Sequence, residues 1–364
     1  MVRHLYVHLP FCASRCGYCA FVVEVGSLGL RDVYLDALCE EFRREQSDLG
    51  LLETVYLGGG TPTLMRPHRI ARLLDQIAPR VADSAEISIE ANPETVDRAA
   101  LRQLRAAGVT RISIGAQSFQ QDLLRSLERN AQPDQVRDVV ACAQDAGFDS
   151  VSVDLLFGVP GQTHEQLVAD MREVQALGVD HISWYELEIK PETALSRMGA
   201  QVPDEDWAAD AYEAIVGELE GHGYRWYETA NFARPGHECR HSLAYWSARD
   251  YLGIGVGAVS TIDHVRSRNP IDLHRYIAAL GSDDAIPRTR ETLDDDMVRR
   301  ERWMLGLRLD GPLDAGWAGP PDYPDALGKL AAAGLLEHAD GQVWLTRRGR
   351  FVQNAVLHEL MEYA

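Results

Sequence analysis

Three cysteines stand close together near the start of the chain, at Cys12, Cys16 and Cys19. Each iron of a four-iron cluster takes one external ligand, so three thiolates would leave one iron open to a small molecule. Zinc is the alternative metal, but a structural zinc site needs a fourth ligand. His4 and His8 are the nearest candidates, and both precede the loop within a predicted strand, where they converge poorly on it. The spacing therefore predicts a [4Fe–4S] site, with a zinc site as the competing hypothesis.

The remaining cysteines do not suggest a disulfide framework in a chain of 364 residues. Cys39 and Cys142 each follow an apolar residue by one turn of a predicted helix, which is typical of thiols packed in a core. Cys239 stands beside a segment rich in histidine and aromatic residues, where a thiolate could ligate a metal.

A run of three glycines, Gly58, Gly59 and Gly60, closes the second predicted strand and is followed by Thr61 and Pro62. Glycine lets backbone N–H and C=O groups approach a ligand closely. A tight turn from strand to helix would use the same residues. The run is not a phosphate-binding P-loop, because no Gly-Lys-Ser/Thr follows it. We therefore expect either a backbone that faces a ligand or a turn.

Polar side chains are predicted at or just beyond the ends of three later strands, at Glu90, Gln117 and Asp154, with Arg129 in the segment after Gln117. The carboxyl ends of parallel strands meet at one edge of a sheet, where sites are built. Singly, each residue could be a helix cap or an ion-pair partner. Together they predict a ring of polar groups around one ligand.

His241 is followed by Tyr245 and Trp246 within one short segment. Imidazole ligates haem iron, and flat aromatic side chains pack on a porphyrin. A loop that packs an accessory domain would use the same residue types. We therefore expect either a haem ligand at His241, with Cys239 as a second candidate, or a packing loop.

Short β-rich runs alternate with amphipathic helical runs over the first two thirds of the chain. The predicted strands are Leu5–Leu9, Thr54–Leu57, Glu86–Glu90, Arg111–Ile114, Ser150–Leu156 and His181–Glu186. The predicted helices are Arg31–Asp48, Pro67–Ala78, Asp97–Ala107, Asp134–Ala146, His164–Leu177 and Glu205–Glu220. Repeated strand–helix units predict an α/β fold with a parallel sheet and right-handed crossovers. Periodicity alone leaves open whether the six strands form a partial barrel or a doubly wound sheet.

The pattern changes after the last of these helices. Residues 224–262 are rich in aromatics, glycine and histidine, and the C-terminal part resembles a small winged-helix-like unit. The elements predicted there are the helices Met297–Leu309, Asp325–Ala333 and Arg350–Met361 and the strand Val343–Leu345. We therefore expect a barrel or sheet domain at 1–230, an aromatic and histidine-rich segment at 231–290 and a mainly helical, winged-helix-like domain at 291–364.

The composition excludes some classes of protein. Hydrophobic residues make up 46% of the chain, enough for a sizeable core, and the net charge of −19 argues against a nucleic-acid-binding surface. No apolar run approaches the roughly 20 residues of a membrane helix, and no signal-peptide core is present at the N-terminus. We therefore expect no transmembrane segment, no nucleic-acid partner and a cytoplasmic location.

Six segments taken together resemble the HemN/HemW group of radical S-adenosylmethionine (SAM) proteins. They are YVHLPFCASRCGYCAF, YLGGGTPT, EISIEANPE, GAQSFQ, VDLLFGVPGQT and CRHSLAYW, and the resemblance spans nearly the whole chain. It implies a partial (β/α)6 barrel, one [4Fe–4S] cluster and SAM. The chemistry implied is reductive cleavage of SAM to a 5′-deoxyadenosyl radical, which the cofactor carries and the protein directs.

The resemblance also implies roles for individual residues. Cys12, Cys16 and Cys19 would ligate the cluster, and Tyr6 would lie near the cluster and the substrate. The implied SAM contacts are Tyr18, Gly59, Gly60, Thr61, Glu90, Gln117, Arg129 and Asp154, and the implied haem contacts are His241, Tyr245 and Trp246.

Two features favour the haem-chaperone branch of the group. The dehydrogenase branch usually carries a further cysteine where this chain has Phe21, and a longer N-terminal extension. The chaperone branch carries a His-Asn-x-x-Tyr-Trp motif, in which this chain has Ser242 in place of the asparagine. The implied ligand is haem and the implied partners are acceptor haemoproteins, respiratory ones among them, with a homodimer left open.

Two further hypotheses stay in view. The first is an enzyme proper, either a coproporphyrinogen dehydrogenase or a class C radical SAM methyltransferase; no turnover substrate follows from the residues. The second is a zinc-stabilised binding module without redox chemistry, which would leave the glycine run and the polar ring without a role.

Overall fold

The structure is a computed structural model that describes residues 1–361. The last three residues of the predicted C-terminal domain lie outside the described part. In chain order the strands are β1 Val2–Leu9, β2 Phe11–Cys12, β3 Glu24–Val25, β4 Leu49–Gly59, β5 Val81–Ala91, β6 Arg111–Gln117, β7 Ser150–Phe157, β8 His181–Glu186, β9 Arg225–Trp226, β10 Asn231–Ala233, β11 Leu252–Ile254, β12 Val259–Ile262, β13 Val265–Arg268, β14 Thr289–Thr292, β15 Leu313–Asp314, β16 Leu336–Ala339 and β17 Gln342–Leu345.

The helices are α1 Arg31–Glu45, α2 Pro67–Ile77, α3 Arg98–Ala106, α4 Gln121–Ser126, α5 Pro133–Ala146, α6 His164–Ala176, α7 Ala194–Arg197, α8 Glu205–Gly221, α9 Arg240–Trp246, α10 Leu273–Leu280, α11 Asp295–Gly306, α12 Ala315–Ala318, α13 Pro324–Ala332, α14 Arg347–Phe351 and α15 Gln353–Leu360. Within residues 1–361, no helix combines the length and the apolar composition needed to cross a membrane.

The main sheet has nine strands in the order β11-β1-β4-β5-β6-β7-β8-β10-β9. Neighbours from β11 to β8 pair in parallel, and β10 and β9 continue the sheet antiparallel. All six predicted strands are present as β1 and β4 to β8, and they lie side by side in chain order. Among these six strands there is no reversal of strand order, the feature that defines a doubly wound sheet.

The strands alternate between a polar face and an apolar face. On β6, Ile112 and Ile114 are fully buried, whereas Ser113 and Gly115 line a cavity. Parallel strands are usually apolar on both faces because both are packed. Here only the face under the helices is a packed core, and the other face encloses polar space for a ligand.

Helices cover the apolar face for reasons visible in their sequences. On α5 the apolar residues Val136, Val139, Val140 and Ala143 recur at helical spacing and are buried. The helix begins with Pro133 and a capping box on Gln132, which satisfies backbone N–H groups at its first turn.

The C-terminal part has its own core. A three-stranded sheet of β15, β17 and β16 packs with α11, α12, α13 and α15 around Trp303, Leu336 and Val356. Two predicted helices differ from the structure: Met297–Leu309 is α11, and Arg350–Met361 is the pair α14 and α15. The helix divides because Val352 adopts φ −116° and ψ 30°, outside the helical region.

Candidate cluster and cofactor site

A cavity of about 450 Å³ lies among the polar faces of the strands, beside the cysteine loop. It brings together most of the site residues predicted from the sequence. Those lining it are Cys12, Cys16, Tyr18, Cys19, Gly59, Gly60, Thr61, Glu90, Gln117, Arg129 and Asp154. Tyr6, His241, Tyr245 and Trp246 are the predicted site residues that do not line it.

The cysteine loop follows β1 and curls around one end of the cavity. The Sγ of Cys12 lies 3.7 Å from Thr61 Oγ1, and Arg129 Nη1 donates to Cys16 Sγ at 3.5 Å. Burial raises the pKa of both Cys12 and Cys19, and the neighbouring cysteines raise it further. The thiols are therefore close enough to repel one another as thiolates, and a bound metal would offset this electrostatic repulsion.

The zinc hypothesis needs a histidine ligand, and neither candidate lines the cavity with the cysteines. His4 Nδ1 lies 3.0 Å from Thr54 Oγ1. His8 Nε2 lies 2.8 Å from Val22 O, which can only accept, so His8 donates there and its Nδ1 accepts from Tyr6 Oη at 3.0 Å. Among residues 1–361, no three His, Cys, Asp or Glu side chains are arranged to hold one metal ion.

The glycine run lets β4 meet the cysteine loop. Gly60 N–H donates to Leu9 O, and Thr61 N–H donates to Phe11 O, both at 2.8 Å. A Cβ on Gly60 would lie 2.5 Å from Pro10 O, closer than atoms can approach. A side chain at this position would therefore push the strand away from the residues that lead into Cys12.

Two carboxyl groups face the cavity. Glu90 accepts hydrogen bonds from Tyr56 Oη at 2.8 Å and Gly59 N–H at 3.1 Å, and burial raises its pKa to about 7. Asp154 accepts from Ser113 Oγ at 2.8 Å, and burial raises its pKa too. Two half-buried carboxyls on one cavity would be stabilised as carboxylates by a cationic ligand group.

Arg129 has one nitrogen that no described residue satisfies. Its Nη2 donates to Asn92 Oδ1 at 3.0 Å and to Gly115 O at 2.8 Å, whereas its buried Nε has no hydrogen-bond partner. Buried donors are normally paired, so the orphaned Nε indicates that a ligand acceptor belongs in the cavity.

Sequence reasoning missed the residues that hold the Gln117 loop. Gln117 itself has φ +67°, a left-handed conformation that a side chain rarely adopts. Asp170 of α6 accepts from Ser118 Oγ at 2.7 Å and from Phe119 N–H at 2.9 Å, and so holds the backbone after Gln117. No local pattern in α6 distinguishes this buried aspartate from a surface one.

The predicted haem segment forms helix α9, which packs across the far end of the strands. His241 Nδ1 lies 2.8 Å from Thr54 Oγ1, and burial lowers the pKa of His241 to about 3, so the imidazole is neutral. Tyr245 is 43% exposed and packs edge-on against Trp246. The cavity is instead lined by Cys239 and by Ser242 of α9.

Tyr6 lies behind the cavity wall. Its ring stacks on Tyr56 with centroids 6.2 Å apart. The structure therefore places Tyr6 one side chain away from the cavity that Tyr56 lines.

Comparison with known proteins gives concordant similarities. A family model described as the radical SAM superfamily matches residues 6–174. The heme chaperone HemW of Mycobacterium tuberculosis is 36% identical over 369 residues, covering 98% of this chain and 94% of the relative. The heme chaperone HemW of Bacillus subtilis is 32% identical over 373 residues, covering 98% of each.

A solved structure extends the similarity to three dimensions. Coproporphyrinogen III oxidase (HemN) from Escherichia coli, a radical SAM enzyme, superposes with a TM-score of 0.86 at 25% identity, covering 98% of this chain and 89% of that one. The fold of this chain is thus of the radical SAM type, with a mixed α/β architecture and a parallel sheet.

Proposed function

This chain belongs to the HemW family of radical SAM proteins, and from that premise we propose that it binds a [4Fe–4S] cluster, SAM and haem and delivers haem to acceptor haemoproteins. The observation that carries the proposal is the cavity lined by the three cysteines, by Arg129 with its orphaned Nε, and by the half-buried Glu90 and Asp154.

The residues present fit a cluster with SAM beside it. Cys12, Cys16 and Cys19 would each ligate one iron, which would leave the fourth iron without a protein thiolate. Glu90 and Asp154 offer carboxylates to the positive charges of SAM. When bound, the cluster and SAM supply reductive cleavage chemistry.

Several other residues would complete the SAM site. Arg129 and Gln117 offer donors to its acceptors, and Gly59, Gly60 and Thr61 would let the end of β4 approach it closely. Tyr18 lines the wall on the cysteine loop, and burial raises the pKa of its phenol, which keeps that group neutral.

The haem proposal rests on the imidazole of His241. A histidine that ligates a metal is usually oriented by a hydrogen bond at its other ring nitrogen. Thr54 Oγ1 supplies such a bond at Nδ1, and Nε2 has no partner among the described residues. The exposed Tyr245 ring, and Trp246 beneath the Arg308 guanidinium, would add flat apolar surface for a macrocycle.

The finer architecture is also a proposal. Six parallel strands in chain order, polar on one face, support a partial (β/α)6 barrel. Helices packed on a three-stranded sheet with a separate core support a winged-helix-like domain at 291–364. Residues 231–290 contribute Phe232, Ile254 and Tyr276 to the core of the barrel strands, so this segment would be fixed to a barrel domain at 1–230.

Location and partners complete the proposal. Six free cysteines are suited to the reducing conditions of the cytoplasm. Haemoproteins of respiration are the proposed acceptors, and a homodimer is the proposed assembly.

The test is a haem titration of cluster-loaded wild type, His241→Ala and His274→Ala. His274 lies on the exposed side of α10 and is the matched control. We expect saturable haem binding by the wild type and the control, and a weaker complex with a shifted haem absorption band for His241→Ala. Cluster content, measured in each variant, checks folding.

Unchanged haem affinity and spectrum in His241→Ala would remove the haem role of this histidine. Turnover of a porphyrinogen, or methyl transfer, by the wild type would instead favour an enzyme of the dehydrogenase or methyltransferase kind.

A further inference from the structure

Tyr56 of β4 contacts one residue that lines the polar cavity, Glu90, and one that lies outside it, His241. Its hydroxyl donates to Glu90 Oε1 at 2.8 Å. Its ring stacks on the imidazole of His241, with centroids 5.2 Å apart and planes inclined by 29°. One side chain therefore joins a proposed SAM contact to the helix that carries the proposed haem contacts.

The contact with Glu90 is tightly built. The second carboxylate oxygen accepts the Gly59 N–H at 3.1 Å, so both oxygens have fixed donors. A Cβ on Gly58 would lie 2.9 Å from the Tyr56 ring and 3.1 Å from Glu90 Oε1. Glycine at position 58 therefore makes the tyrosine–glutamate contact sterically feasible, and a change in the orientation of the carboxylate would break its hydrogen bond to the tyrosine.

The contact with His241 seats helix α9 on the strands. Thr54, two residues before Tyr56 on the same face of β4, bonds the imidazole through its hydroxyl. Glu86 of β5 accepts the N–H of Arg240 at 2.9 Å and the N–H of His241 at 3.2 Å. The first turn of α9 is thus held by β4 and β5, the two strands that also carry Tyr56 and Glu90.

We propose that Tyr56 is a positioning residue that couples the SAM site to helix α9. Its hydroxyl orients Glu90 and its ring seats His241, so a ligand that shifts one of them also shifts the other. By linkage, SAM and haem then change each other's affinity by the same factor. The inference rests on the proposed function, since it takes SAM as the ligand beside Glu90 and haem as the ligand of helix α9.

The first test removes the hydroxyl alone. Tyr56→Phe keeps the ring on His241 and leaves Glu90 Oε1 without its donor, so SAM binding to the cluster-loaded protein should weaken about tenfold. The matched control is Tyr224→Phe, which loses a buried hydroxyl bond to Val179 O at 2.7 Å outside the cavity. SAM affinity of the control should stay within about twofold of the wild type.

The pH dependence of SAM binding distinguishes a positioning role of Tyr56 from a general weakening of the SAM site. The Tyr56 hydroxyl favours the ionised form of Glu90, whose pKa burial raises to about 7, so Tyr56→Phe should raise that pKa further. Asp154, Tyr6 and Tyr185 face the same carboxyl and are unchanged in the variant. The pH midpoint of SAM binding should therefore move upward in Tyr56→Phe and stay fixed in the control.

The second test follows helix α9 by hydrogen exchange of the Arg240 and His241 amides, with and without SAM. In the wild type, SAM should change their exchange rates. In Tyr56→Phe the rates without SAM should match the wild type, and SAM should no longer change them. Tyr56→Leu, which loses the ring as well, should exchange faster even without SAM.

The possible failures are distinguishable. If the cluster-loaded wild type does not bind SAM, the proposed function itself is wrong. If the wild type binds SAM, and Tyr56→Phe shows the same affinity and pH midpoint, the positioning role is wrong while the function stands. If Tyr56→Phe binds SAM more weakly, as expected, but SAM still changes the exchange rates of the α9 amides, the proposed coupling is wrong.

Discussion

Replacing Gly60 by alanine should separate the end of β4 from the cysteine loop. The added Cβ would lie 2.5 Å from Pro10 O and 2.9 Å from Phe11 O, whereas ordinary contacts begin at 3.4 Å. The strand and the loop must therefore move apart by about 0.9 Å. Both contacted atoms belong to the backbone, so no flexible side chain can absorb the shift.

The loss of folding free energy in Gly60→Ala can be estimated from the effect of added methyl groups in the packed interiors of other proteins. Inserting a methyl group into a close-packed site costs about 1–3 kcal/mol. Gly60 lies outside the left-handed region, so the penalty is steric rather than conformational. Because Pro10 and Phe11 lead directly into Cys12, the same displacement should lower the iron content of the reconstituted protein.

The assay is urea unfolding of the metal-free protein, followed by iron and sulfide analysis after anaerobic reconstitution. Gly217→Ala is the matched control, because Gly217 lies inside α8 and an added Cβ meets no atom within 4 Å. That change should stabilise the protein by about 0.5–1 kcal/mol, since alanine favours a helix over glycine. Wild-type stability and full iron loading in Gly60→Ala would refute the packing argument.

The remaining predictions concern the cluster and the two carboxyls. Cys16→Ala should lose the cluster while Cys142→Ala retains it, as iron analysis would show; full loading of Cys16→Ala would contradict the ligand assignment. Asp154→Ala should weaken SAM binding without loss of iron, and iron loss would make Asp154 structural. The raised pKa of Glu90 adds stability below about pH 4.5 that is lost as pH rises through about 7. Glu90→Gln should therefore flatten the urea-unfolding profile over that range, and an unchanged profile would show that Glu90 ionises normally.

The elements that carry the site could be predicted because they follow from local patterns. Each of the six strands is a short β-rich run followed by a helical period, and each is present in the sheet. Cys12 and Cys19 are close in the chain, so their proximity needs no long-range information. Glu90 and Gln117 meet because parallel strands bring their carboxyl ends to one edge.

Asp154 reaches the cavity in a way that the strand-end argument did not anticipate. It lies within β7 and not at its end. Its side chain enters the cavity because alternate residues of a strand point to the same face. Ser113 of β6 and Ser183 of β8 face the cavity for the same reason.

Contacts between residues that are distant in the chain could not be predicted from local sequence patterns. Strand β11 has three residues, of which Gly253 is one, so its composition does not indicate a strand. The strand forms because Leu5 and Val7 of β1 pair with it. Glycine is needed at position 253 because the Cβ of any other residue would collide with Val259 O. The packing of His241 on Tyr56 is of the same long-range kind.

The most direct test of the central claim is anaerobic reconstitution of the full chain, followed by haem titration and elemental analysis of the same sample. We expect about four irons per chain, a spectrum that responds to SAM, and saturable haem binding that His241→Ala weakens. Zinc in place of iron, or a cluster-loaded protein that binds no haem, would contradict the central claim.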